Sequence, residues 1–318
     1  MKAAMIVEAG KLPIYGDFSA PVPTAGDTRI TVTAAALSHV AKARAAGTHY
    51  SSTAGLPFVV GVDGVGRLDD GRRVYFMLPT APFGSMAEQT IVRSAQCIAL
   101  PDEISDLVAA AIAVPGMSSW AALQERAKLL AGETVLVNGA TGTSGRLAVQ
   151  IAKHLGAKTV IATGRNAEAL QSLAALGADI RIPLVQDGDA LENAFKEHFS
   201  AGVDVVLDYL WGQSAERLLI AAAKAGRDAT PMRFVQIGSI SASTITLPSA
   251  VLRSSGVELI GSGIGSIPLE RIVQVIEELL HATVPGGFQI ATKAVPLADV
   301  AQAWSMEDAQ ARTVFIPG

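Results

Sequence analysis

One stretch narrows the possible folds of this chain more than any other. It runs from Thr134 as Thr-Val-Leu-Val-Asn-Gly-Ala-Thr-Gly-Thr-Ser-Gly and continues directly as Arg-Leu-Ala-Val-Gln-Ile-Ala-Lys. An apolar run meets three glycines, Gly139, Gly142 and Gly145, and then takes on helical periodicity. Leu147, Ile151 and Leu155 recur every fourth residue, with Ala148 and Ala152 beside them, which makes one packing face, and Gly156 is a natural stop. The stretch therefore reads as strand, glycine turn, helix. Gly139 permits the tight turn, Gly142 lets backbone approach a ligand that a Cβ would displace, and Gly145 lets the helix pack closely. Free N–H groups at the helix start, at the positive end of its dipole, favour a pyrophosphate. A glycine pattern alone is weak evidence; between a buried strand and an amphipathic helix it is a variant of the dinucleotide fingerprint.

The rest of the chain from about residue 116 keeps the same rhythm. Strand-like runs at Thr159–Thr163, Val203–Tyr209, Arg233–Ile237 and Val257–Ile260 alternate with helical patterns over roughly 166–176 and 213–224. Near-continuous Val/Ile/Leu runs with helices between them predict a parallel sheet covered on both faces. Residues 1 to about 115 are different. Arg29–Thr33 alternates polar and apolar, Arg73–Met77 is another strand, and Pro21, Pro23, Gly61, Gly64, Gly66 and Gly71 cut the chain into short pieces. That composition predicts an irregular antiparallel β domain. A helix over Leu269–His281 and strands at Lys293–Val295 and Thr313–Ile316 follow at the end.

The end of the second strand of the parallel series selects among dinucleotides. An NAD site usually places an acid there, about 20 residues past the glycines, to bond the ribose 2′-hydroxyl. This chain reads Ile161-Ala-Thr-Gly-Arg165-Asn166, with no acid and one guanidinium. A carboxylate repels a 2′-phosphate, whereas a guanidinium holds it. Thr163 and Asn166 could add hydrogen bonds. The expected cofactor is NADPH.

Bulk composition excludes several alternatives. With 318 residues, half hydrophobic and 17% charged, the chain has the apolar material for buried cores and favours two domains. Net charge is −4 with no basic block, so nucleic-acid binding is not expected. The lone cysteine, Cys97, permits neither an intrachain disulfide nor a Cys-rich zinc site and reads as a structural thiol. The N-terminal run is broken by Glu8, and the longest apolar run, Leu107 to Met117, holds Pro115 and Gly116 and is too short to span a bilayer. No membrane partner and a cytoplasmic location are expected.

Taken together, the chain resembles the medium-chain dehydrogenase/reductase superfamily, and within it the zinc-independent quinone oxidoreductase branch. The resemblance runs nearly end to end. It is carried by MKA at the start, GVDGVG at 61–66, GSMAE at 84–88, PGMSSWAAL at 115–123, GETVLVNGATGTSG at 132–145 and AVQIAKHLGA at 148–157. It continues through LGAD at 176–179, VDVVLDYLWG at 203–212, VQIGS at 235–239 and the final RTVFIPG. It implies an α/β protein. A GroES-like, partly open β-barrel domain would be formed by residues 1–115 and 266–318, and a doubly wound Rossmann sheet by 116–265. It also implies an active-site cleft and a homodimer.

By family position, Ser118 should sit near the carboxamide or phosphate. Asn138 and Gly139, Ala140, Thr141, Gly142, Thr143, Ser144 and Gly145 should line the diphosphate. Thr163, Gly164, Arg165 and Asn166 should form the 2′-phosphate side, and Ile237, Gly238 and Ser239 should flank the nicotinamide. Zinc alcohol dehydrogenases of the superfamily use an early Cys and a Gly-His-Glu; those positions read Ser38 and Gly61-Val62-Asp63 here, so no metal is expected. Quinone oxidoreductases often have Asn near position 38, Asp near 41 and following tyrosines; here only Tyr50 has a counterpart. The implied reaction is hydride transfer from NADPH to a quinone or α,β-unsaturated carbonyl, an electron-poor small molecule. Tyr50, His49 and Ser38, with His39, are the candidate proton donors, and water is another. A metal-free 2-enoyl or alkenal reductase and a non-catalytic NADPH-binding protein remain alternatives. Asp208 reads as a strand-end capping residue, and Tyr209 or Trp211 would either narrow the pocket or pack the sheet edge.

Overall fold

The structure, a computed structural model, describes residues 1–48, 55–185, 188–226, 229–306 and 311–318. It divides into two compact units, Met1–Val114 with Ile276–Gly318, and Pro115–Val275. The second crossing falls inside the helix Leu269–Thr283, whereas the sequence expectation set it ahead of that helix.

In chain order the first unit contributes β1 (Lys2–Ile6), β2 (Ile14–Asp17), β3 (Asp27–Ala36), α1 (His39–Ala45), β4 (Phe58–Val59), β5 (Asp63–Arg67), β6 (Arg73–Met77), β7 (Gln89–Arg93) and β8 (Cys97–Ala99). Then comes α2 (Asp106–Ala121), which continues as a π-helical turn over Ala122–Arg126. The helix passes straight through Pro115 and Gly116. It is also longer than the apolar run suggested. Asp106–Arg126 spans 21 residues with a mean hydropathy of 1.4 over its most apolar window, long and apolar enough to cross a membrane by length and composition alone. That window is 67% buried inside the protein, and Ala109 through Ala113 are wholly buried. A helix apolar on every side is what a core helix requires. Its N-terminus is anchored by Asp106, which accepts from the Thr33 hydroxyl at 2.6 Å and from Arg73 Nη2 at 2.6 Å.

The second unit alternates strand and helix: β9 (Thr134–Asn138), α3 (Thr143–His154), β10 (Thr159–Gly164), α4 (Ala167–Ser172), β11 (Ile180–Pro183), α5 (Gly188–Ala201), β12 (Val205–Asp208), α6 (Gln213–Ala225), β13 (Met232–Gln236), α7 (Ser249–Arg253) and β14 (Val257–Gly261). The six strands form one sheet in the order β11-β10-β9-β12-β13-β14, every pair parallel. This is the Rossmann order, two mononucleotide halves that diverge between β9 and β12. One core joins Leu136, Ile161, Val206 and Phe234 of the strands to Phe195 and Phe199 of α5 and Leu218 and Leu219 of α6. Burying each such side chain contributes roughly 2 kcal/mol.

The chain then runs through α8 (Leu269–Thr283), β15 (Thr292–Pro296), α9 (Val300–Trp304) and β16 (Arg312–Ile316), which complete the first unit. A three-stranded sheet has the order β2-β1-β4, and a larger one runs β15-β16-β3-β5-β6-β8 with β7 also on β3. The ten-residue β3 is the hub. It pairs with β7 through Asp27–Thr31, with β5 through a register shift between Val32 and Ala34, and with β16 at Ala35 and Ala36. Such a shift bends the strand and lets one strand serve a curved sheet. The core of this unit draws Ile6, Ile30, Phe76 and Met86 from the first segment and Leu297, Val300, Trp304 and Phe315 from the last. The unit is the GroES-like partner of the Rossmann unit, built from both ends of the chain.

Candidate nucleotide site and the acid-bearing strand

The site grows from the carboxyl end of β9. Asn138 and Asp208 are register partners across the point where the two halves of the sheet diverge. The Asn138 amide donates to Asp208 Oδ1 at 2.8 Å and to the Ser214 hydroxyl at 2.9 Å, and its oxygen accepts from the Thr163 hydroxyl at 2.7 Å. Thr163 Oγ1 in turn accepts from Gly139 N–H at 3.1 Å, while Ala140 N–H donates to Thr163 O at 2.8 Å. The polar ends of three neighbouring strands thus lock together under the glycine turn. Asn138, Thr163 and Asp208 are all fully buried, so what these three side chains do is position backbone. Asp208 also accepts from Leu210 and Trp211 N–H, so the sequence reading of Asp208 as a capping residue agrees with its bonds. Burial pushes its carboxyl above the ordinary range, against the opposing pull of these donors.

The three glycines do three different things. Gly139 has φ +89°, and a Cβ on it would meet Leu210 Cδ2 at 2.8 Å. A Cβ on Gly145 would meet Ala140 Cα at 2.6 Å, so helix and turn touch backbone to backbone. A Cβ on Gly142 would meet nothing nearer than Gly139 O at 3.9 Å. Gly142 is exposed and is the N-cap of α3, with no side-chain cap bond. The first N–H groups of α3 are therefore left for a partner outside the helix.

At the end of β10, Gly164 leaves room for the Thr141 side chain. Arg165 follows, exposed and with no hydrogen bond or ion pair among the described residues. Asn166 is the N-cap of α4, its Oδ1 accepting from Ala169 N–H at 2.8 Å. On the other half of the sheet, Ile237 and Gly238 N–H both donate to Asp208 O, at 2.8 and 3.1 Å, and Ser239 lies exposed beyond them. Ser118 lies in the last turn of α2, donates to Pro115 O at 2.7 Å and stands 3.4 Å from the Tyr209 hydroxyl.

In the first unit, Ser38 is buried and is the N-cap of α1, its Oγ accepting from Ala41 N–H at 2.9 Å. His49 and Tyr50 lie outside the described residues. Asp63 opens β5 and is 1% exposed. It accepts from the Tyr75 hydroxyl at 3.0 Å, and its Oδ1 has no hydrogen-bond partner among the described residues. Burial pushes its carboxyl up to about 6, against the opposing field of the buried Arg312 guanidinium and the Tyr75 bond. The same surroundings drive the Tyr75 phenol up. Burial raises the Cys97 thiol to about 11, as befits a structural cysteine. Among the described residues no three His, Cys, Asp or Glu side chains stand together as a metal would need.

The buried network beneath the turn went unread in the sequence. Its only trace was a polar residue ending each of three apolar runs, Asn138, Thr163 and Asp208.

A family model described as zinc-binding dehydrogenase matches residues 145–314. The sequence is 30% identical to a protein of Emericella nidulans named as a probable NADPH-dependent quinone reductase, across the full length of both. It is 30% identical to prostaglandin reductase-3 of Mus musculus over 54% of this chain and 46% of that protein. The fold superposes on the quinone oxidoreductase of Thermus thermophilus, solved alone and with NADPH, with a TM-score of 0.82, 25% identity, and coverage of 99% of this chain and 100% of that one.

Proposed function

Because the chain belongs to the quinone-oxidoreductase-like branch of the medium-chain dehydrogenase/reductase superfamily, a family of oxidoreductases, we propose that it reduces a quinone or an α,β-unsaturated carbonyl at the expense of NADPH. The observation that carries this reading is the open N-terminus of α3 at Gly142, one strand away from the exposed Arg165. Bound there, NADPH supplies the hydride. The main-chain amides of Thr143, Ser144 and Gly145 take the diphosphate, with Ala140 and Thr141 lining the turn. Arg165 takes the 2′-phosphate beside Asn166, and Gly164 keeps that strand end clear. Asn138, Thr163 and Asp208 keep the turn in register. Ser118, Ile237, Gly238 and Ser239 lie on the nicotinamide side.

The zinc-binding positions of metal-dependent relatives do not fit a metal here. The Ser38 oxygen caps a helix, Val62 has no donor, and Asp63 faces Tyr75 and Arg312 inside the fold. A proton donor must then serve the acceptor oxygen, and Tyr50, His49 and Ser38 are the proposed side chains, with water as the alternative source. The protein is proposed to work in the cytoplasm, and as a homodimer through β14, an edge strand whose Glu258, Leu259 and Gly261 are exposed.

Titration with NADPH and NADH tests the cofactor. NADPH should bind more tightly, and Arg165→Glu should reduce its affinity about thirtyfold while leaving NADH nearly unchanged. Equal affinities in both proteins would refute the assignment. Turnover against matched quinones and enones then separates the two acceptor classes.

A further inference from the structure

The segment Asp208-Tyr-Leu-Trp-Gly212 carries three large side chains at the carboxyl end of β12, and the structure gives them different work. Trp211 turns inward: its ring stands edge-on to Phe234 at 6.5 Å and packs against the sheet core. Leu210 lies over Gly139. Tyr209 does neither. Its ring is half-buried and its hydroxyl reaches Ser118.

Tyr209 is fixed from several directions. Its N–H donates to Asn138 O at 3.1 Å, and its carbonyl lies against Gly238, where a Cβ would meet it at 2.7 Å. Ser118 already donates its hydrogen to Pro115 O, so in the 3.4 Å contact the phenol is the donor. The hydroxyl is thus engaged with Ser118, and burial keeps the phenol neutral by raising it to about 12. Tyr209 is an uncharged aromatic side chain held in one place.

Its place in the sheet says what lies against it. The glycine turn and Arg165 belong to the half built on β9, β10 and β11, where the adenosine side of a dinucleotide rests. Tyr209 directly follows Asp208, the last residue of β12, which is the first strand of the other half and pairs with β9 across the divergence. We propose that the Tyr209 ring is the wall on which the nicotinamide half of the cofactor rests, held in place by Ser118 and by the backbone of Asn138 and Gly238. This rests on the dinucleotide reading above. A flat ring meeting a flat heterocycle adds affinity beyond contact area alone.

The test compares Tyr209→Phe with Tyr209→Leu, measuring affinity for NADPH and for 2′,5′-ADP, which carries only the adenosine side. Phe keeps the ring, so NADPH affinity should stay within about twofold. Leu keeps an apolar side chain without the ring, so NADPH affinity should fall about tenfold while 2′,5′-ADP binding is unchanged. Unchanged NADPH affinity in the Leu variant overturns the proposal, and so does a parallel loss of both ligands, which would mark a purely structural role. Failure of the unmodified protein to bind 2′,5′-ADP would overturn the dinucleotide reading itself.

Discussion

Each unit buries an aspartate at the end of a strand, and the two acids are held by opposite means. Asp208 sits in a mesh of hydrogen bonds: the Asn138 amide and the N–H groups of Leu210 and Trp211 all point at it. Among the described residues Asp63 has one hydrogen bond, from Tyr75, and otherwise the field of Arg312, whose Nε and Nη2 are themselves buried without hydrogen-bond partners there. In the sequence the two look alike, each an Asp next to Val and Gly or to Leu. The difference teaches that the nucleotide turn is braced by short-range, directional bonds, whereas the acid of the first unit is balanced by charge.

Charge balance should be the more fragile of the two. Removing the guanidinium with Arg312→Met leaves Asp63 uncompensated and should cost about 4 kcal/mol at pH 7. The cost should shrink markedly near pH 4, where Asp63 is protonated. Urea titrations at the two pH values measure it, and an equal cost at both would mean the pair is not electrostatically coupled.

The pH dependence of the unaltered protein follows from the same acid. The folded value, raised to about 6, lies above the unfolded one of about 3.9, so the folded state binds the proton more tightly. Asp63's contribution is therefore fully present below pH ~4 and is lost as pH rises through ~6. The loss is on the order of 3 kcal/mol. Asp63→Asn should lack this slope, becoming more stable relative to wild type as pH rises, while its NADPH affinity stays the same. A pH-independent difference would sink the idea.

The hydrogen-bonded acid should respond differently. Asp208→Asn sets an amide donor against N–H donors and should cost about 2 kcal/mol. Because Asn138 positions the turn, this variant should also weaken NADPH binding, which calorimetry would detect; intact binding would show that the turn stands without its brace. The smallest stability effect should come from Gly142→Ala. Its new methyl meets open space, so unfolding free energy should change by less than about 1 kcal/mol while NADPH affinity drops. A variant that binds normally would show that the ligand does not approach this position.

The parts of the fold legible in the sequence were those with a local signature. Strand β9, the glycine turn and α3 could be read because period, breaker and packing face coincide within twenty residues. Strand β11 escaped, since Ile180-Arg-Ile-Pro183 is a four-residue edge strand with a charge in it. Helix α5 was also missed, although Leu191, Phe195 and Phe199 repeat every four residues. Helix α2 was not read as a helix at all: the sequence showed only an apolar run over Leu107 to Met117 holding Pro115 and Gly116, and the helix continues through both. At the site, the glycines could be assigned from spacing. The inward turn of Asn138 and Thr163 could not, because it depends on strands far apart in sequence meeting in one sheet.

The placement of β16 beside β3 also sets an order of events during synthesis. The first unit cannot complete its larger sheet until residues 312–316 have been made, whereas every strand of the Rossmann sheet has been synthesised by residue 261. Through translation of the entire intervening unit the N-terminal segment therefore lacks its last two strands, and Asp63 lacks the Arg312 guanidinium.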